Sequence, residues 1–68
     1  MSGNDVMFVR DLLKQFGTFI YTGNQLDDLV LMELELQDLY EYKMVSDEDY
    51  MKTKLILSKA KRELEKQK

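Results

Sequence analysis

The chain has 68 residues, 44% of them hydrophobic and 34% charged, with a net charge of −3. That length accommodates one small domain with a modest core. It contains neither cysteine nor histidine. Disulfide staples and thiolate metal sites are therefore excluded, and the usual general base, pH switch and commonest transition-metal ligand are missing.

The charge is polarised along the chain. Residues 1–24 balance, residues 25–49 carry nine acids against Lys43, and residues 50–68 carry seven bases against Glu63 and Glu65. No basic region followed by an apolar run opens the sequence, so no signal peptide is expected. No apolar run exceeds the four residues of Leu29 to Met32, too short to cross a bilayer. A cytoplasmic protein without membrane contact is the expectation.

The first helix is expected from about Asp5 to Phe16, capped by Asn4 or Asp5. Val6, Val9, Leu12, Leu13 and Phe16 share one face at helical spacing. Gly17 stands where a left-handed residue ends a helix. Residues 18–23 follow as an extended connector, because Phe19, Ile20, Tyr21 and Thr22 are aromatic or β-branched and favour extended backbone. In such backbone Phe19 and Tyr21 share one side and Ile20 takes the other.

The second helix is expected over about 25–43, after Asn24, with Asp27 at its third position. Leu26, Leu29, Met32, Leu36, Leu39 and Tyr40 form its main apolar stripe. Leu31, Leu34 and Tyr42 lie off that stripe, as a partner patch or packed under the connector. The third helix is expected over 47–66 behind Ser46, with Tyr50, Thr53, Leu57, Ala60 and Leu64 inward. The short link at Met44-Val45 makes the second and third helices antiparallel neighbours. The fold class is therefore all-α, a small three-helix bundle spanning residues 1–68, with an extended connector between helices 1 and 2.

Catalytic chemistry finds little support. Ser2, Ser46 and Ser58 have no histidine to activate them. Gly17 and Gly23 lack the spacing of a phosphate-binding loop. Asp27, Asp28, Glu35 and Asp38 read as a solvated face, and Asp47, Glu48 and Asp49 as first-turn acids that complement the helix dipole. No spaced carboxylate loop for calcium is present. The expectation is no enzyme, no metal and no cofactor.

Lys52, Lys59, Arg62 and Lys66 cluster on one outward face of the third helix, with Leu55 among them. Such a stripe can track phosphates while Phe19 or Tyr21 stacks on unpaired bases. On charge alone the plainer reading weighs more: a face that is solvated or paired with the acids of the second helix. The connector has a plain reading too, in which at least one of Phe19 and Tyr21 plugs the end of the bundle.

Leu12-Leu13-Lys14-Gln15-Phe16-Gly17, Ile20-Tyr21-x-Gly23-Asn24, Leu26-Asp27-Asp28, Leu31-Met32-x-x-Glu35 and Leu39-Tyr40 resemble the YqgQ family, short uncharacterised proteins of Gram-positive, Firmicutes-type bacteria. The resemblance covers about residues 5–64, and the Phe-Gly-x-x-Ile-Tyr-x-Gly block is its specific part. It implies a three-helix bundle, a cytosolic bacterial protein, no enzyme activity, and a single-stranded nucleic-acid-binding role. The site expected for that role is Lys52, Lys59, Arg62 and Lys66 for phosphates, with Phe19 or Tyr21 for bases. The alternative is a module that binds another protein or itself through Leu31, Leu34 and Tyr42, its charge asymmetry steering the partner.

Overall fold

The computed structural model describes residues 2–66, with side chains from Val6 onward; Met1, Gln67 and Lys68 lie outside the described residues. Three helices account for most of it: α1 (Ser2–Lys14), α2 (Gln25–Glu41) and α3 (Asp47–Lys66). No strand occurs among the described residues, and the chain is the all-α three-helix bundle its periodicity predicts.

Local backbone chemistry sets the ends. Asn24 is extended (φ −123°, ψ 119°), and its side-chain oxygen accepts from the Asp27 amide at 3.0 Å. Ser46 Oγ accepts from the Asp49 amide at 3.1 Å in the same way. Both caps satisfy an amide that the first turn leaves free. The start of α1 differs from expectation. Its backbone is helical from Ser2, which puts Asn4 and Asp5 inside the first turn; their side chains are outside the described ones.

Two helices end earlier than periodicity suggests, by the same device. At the end of α1 the Thr18 amide donates to Leu13 O at 3.0 Å and the Gly17 amide to Lys14 O at 2.9 Å. At the end of α2 the Met44 amide donates to Leu39 O and the Lys43 amide to Tyr40 O, each at 2.9 Å. This is the Schellman pairing, which needs a left-handed residue. Gly17 supplies it at φ +79° without strain, whereas Lys43 adopts φ +60° with a Cβ present. Helix α1 thus stops at Lys14, not Phe16, and α2 at Glu41, not Lys43.

The core is Val9 and Leu13 from α1, Leu29, Met32, Leu36 and Leu39 from α2, and Leu57 from α3. Val45, in the short link, joins them. Each large apolar side chain so buried contributes about 1.5–3 kcal/mol before the cost of ordering the chain. Thr53 is fully buried, and its hydroxyl donates to Tyr50 O at 2.9 Å. The α2–α3 hairpin is fixed at its turn by Tyr40 and Tyr50, stacked at 4.1 Å between centroids and 6° between planes. The Tyr40 hydroxyl donates to Asp47 Oδ1 at 2.6 Å, and that bond raises its pKa above the ordinary phenol value. Helix α3 packs mainly on α2 and next on α1, while α1 and α2 touch least. The connector runs alongside the helices that touch least.

Candidate functional site

The connector is tied down by a carboxylate. Asp28 is only 3% exposed. Its Oδ1 accepts from the Thr22 amide at 2.8 Å and from the Thr22 hydroxyl at 2.7 Å. Its Oδ2 lies 3.5 Å from Arg10 Nη2, and Arg10 Nη1 donates to Ile20 O at 2.9 Å. Three parts of the chain meet there: α1, the connector and the first turn of α2. The Thr22 hydroxyl, then the Thr22 amide, then Arg10 hold the Asp28 carboxyl below the usual range, against the opposing effect of burial.

The expectation that Asp28 belongs to a solvated face is therefore wrong. On α2 it sits beside the apolar stripe, one turn before Met32. Glu35, two turns further on, faces the connector too: its Oε2 accepts from the Thr18 hydroxyl at 3.2 Å. Seven residues apart, these two acids lie on one face of α2, but the other acids of the helix mask that spacing in the sequence. Arg10, which closes it, had no signal of its own, because its partner lies 18 positions away.

Phe19 and Tyr21 are 76% and 85% exposed. Neither is core, which corrects the expectation that at least one plugs the bundle. Ile20 packs against the core instead, so the predicted alternation holds and the two rings share the outer side. The clamp explains the choice: bonds at Ile20 O and at the Thr22 amide fix the extended backbone on both sides of Tyr21. The rings border an open groove of about 290 Å³ that also includes Arg10, Lys14 and Met32.

Lys52, Lys59, Arg62 and Lys66 are all exposed on α3. Among the described residues none of the four makes an ion pair within 4.0 Å. Among the described residues the expected neutralisation by α2 acids occurs on α3 at Lys61 alone, whose Nζ lies 2.8 Å from Glu33 Oε1. Lys52 Nζ sits 4.4 Å above the Phe8 ring, a cation–π contact with α1. The stripe is thus uncovered. The cations that line the aromatic groove are nevertheless Arg10 and Lys14, which sequence reasoning did not assign to the site. Arg10 is engaged with Asp28 and Ile20, leaving Lys14, in the last turn of α1, as the exposed charge beside the rings.

Leu31, Leu34 and Tyr42 are 40%, 54% and 76% exposed. They do not pack under the connector, which removes one of the two explanations for them. No group of three or more Asp or Glu side chains among the described residues is placed to hold a metal ion. No described helix is long and apolar enough to cross a membrane.

No curated protein and no solved structure matches the chain. A protein-family model, YqgQ-like, matches residues 5–63. That span includes all of the connector and its clamp, both Schellman ends and most of α3, and the chain belongs to the YqgQ-like family.

Proposed function

We propose that this protein binds single-stranded nucleic acid without acting on it chemically. The observation that carries the reading is the pair Phe19 and Tyr21, exposed on a backbone segment that is anchored on both sides of Tyr21. Exposing two rings forgoes the burial that stabilises a small fold. Unpaired bases offer flat apolar faces, and stacking on an aromatic side chain is worth about 1–3 kcal/mol per base. Lys14 beside the rings and the uncovered Lys52, Lys59, Arg62 and Lys66 supply charge for phosphates.

The acidic α2 opposes this attraction within about one Debye length, roughly 8–10 Å. Binding is accordingly weak and sensitive to salt. With about three or four phosphates contacted, the slope of log affinity against log salt is about −2 to −3.

The test is fluorescence anisotropy with labelled single-stranded oligonucleotides at several salt concentrations. Tyr21→Ala weakens binding by about 1–3 kcal/mol. Lys59→Glu with Arg62→Glu abolishes it while helicity persists. An unchanged affinity in the double reversal excludes the α3 stripe. No binding of any oligonucleotide at low salt removes the proposal and leaves the protein-interaction reading through Leu31, Leu34 and Tyr42.

A further inference from the structure

Three residues of the connector are bonded to the helices, and they alternate along it. The Thr18 amide donates to Leu13 O at 3.0 Å and the Thr18 hydroxyl to Glu35 Oε2 at 3.2 Å. Ile20 O accepts from Arg10 Nη1, and the Thr22 amide donates to Asp28 Oδ1. Phe19 and Tyr21, the two residues between, are left on the solvent side, while Ile20 packs on the core. The separation of the two rings is therefore set by the anchored backbone and not by whatever lies on them. Two residues of extended chain advance by about 6.6 Å. Stacked bases advance by about 3.4 Å per nucleotide along their strand. The ring sites thus stand at about twice the stacked spacing.

We infer that the groove takes two neighbouring bases unstacked from each other, one on each ring, and so selects strands that unstack readily, thymine- or uracil-rich over adenine-rich. This rests on the single-strand binding proposed above and adds its base preference. The connector cannot shorten to follow a stacked strand without breaking its bonds at Thr18, Ile20 or Thr22. A sugar–phosphate chain, in contrast, lengthens to the ring spacing once base–base stacking is given up. Stacking on an aromatic ring tolerates every base, so the cost of opening the strand decides between them. That cost is large for adenine, with its broad face, and small for thymine and uracil. Hydrogen bonding to base edges does not override it at the groove wall. There Arg10 is engaged with Ile20 and Asp28, and the Thr18 hydroxyl with Glu35. Lys14 supplies charge for a phosphate, a group that carries no sequence information.

Fluorescence anisotropy with labelled oligo(dT) and oligo(dA) of equal length, at one low salt concentration, tests the inference. The phosphates are the same in both, so the ratio of affinities isolates the bases. Oligo(dT) binds tighter by about threefold or more, the low end of what one stacking step is worth. Phe19→Ala and Tyr21→Ala, both at exposed positions, weaken oligo(dT) more than oligo(dA) and bring the ratio toward one. Tyr21→Phe keeps the ring and keeps the ratio, and Lys59→Gln weakens both strands alike. The stacking signal of oligo(dA) in near-UV circular dichroism falls as the protein saturates it. Far-UV circular dichroism checks the helices of each variant; should an alanine variant fail to fold, Phe19→Leu and Tyr21→Leu serve the same test, with apolar bulk but no flat face. Equal affinities, tighter binding of oligo(dA), or an oligo(dA) stacking signal that persists at saturation overturns the inference while single-strand binding stands. Binding of neither strand removes single-strand binding itself, and the base preference with it.

Discussion

The two links of this bundle leave their helices by the same turn and are then held in opposite ways. The α2–α3 link is short and gains its order from apolar burial, with Val45 in the core and Tyr40 bonded across to Asp47. The α1–α2 connector is longer and turns two aromatic rings outward. It gains its order from a polar clamp of Asp28, Thr22 and Arg10. The difference shows how a chain with few core residues can still hold a non-helical segment in one shape. The Thr22 amide and hydroxyl on one buried carboxylate, with Arg10 on Ile20 O, hold a segment whose Ile20 packs on the core while both aromatic rings stay outside.

The largest effect comes from the core beneath both links. Leu36, 1% exposed, lies mid-stripe on the central helix, and Leu36→Ala lowers stability by about 2–5 kcal/mol in a denaturant titration. A loss below about half a kcal/mol, within the range of ordinary surface changes, contradicts the packing described.

Next comes the clamp, where the links separate. Asp28→Ala strands Thr22 and Arg10 together, and the denaturation midpoint falls more than for any surface substitution. The connector loosens while the Val45 link keeps its structure. The pH dependence follows from the depressed carboxyl. An unfolded aspartate titrates near about pH 4, and Asp28 in the fold keeps its charge to lower pH. Its contribution is full above about pH 4 and is lost as pH falls through the lower, folded value. The wild type therefore loses stability on acidification more steeply than Asp28→Asn, as midpoints measured across that range will show. Equal slopes contradict the role of the clamp.

The two Schellman turns give the smallest and sharpest contrast. Gly17→Ala forces a Cβ into left-handed backbone and costs about 1–2 kcal/mol. Lys43→Gly relieves that same strain at φ +60°. It gains about 0.5–1 kcal/mol after the added freedom of the unfolded chain is subtracted. Thermal unfolding of the two variants should move in opposite directions; movement in the same direction contradicts the shared turn.

Much of the frame was legible in the sequence. The helical periods of Val9 and Leu13, of Leu29 to Leu39, and of Thr53 and Leu57 predicted the core faces, and Asn24 and Ser46 announced their caps. Alternation predicted that Phe19 and Tyr21 share a side. It did not say which side, because that depends on Arg10 and Asp28 meeting in space. Lys43 concealed a helix end, since the chemistry that marks such an end is normally glycine. The acids of α2 looked uniform; only packing singled out Asp28 and Glu35 as facing the connector.

The claim at the centre of this account is that Asp28 holds the connector and thereby presents Phe19 and Tyr21. Amide hydrogen exchange at Thr22 tests it most directly, because that amide donates to Asp28. The account predicts a protected Thr22 amide in the wild type. Protection is lost in Asp28→Ala, while the Met44 amide of the other link, bonded to Leu39 O, retains its own. A Thr22 amide that exchanges freely in the wild type, or equally in both proteins, would contradict it.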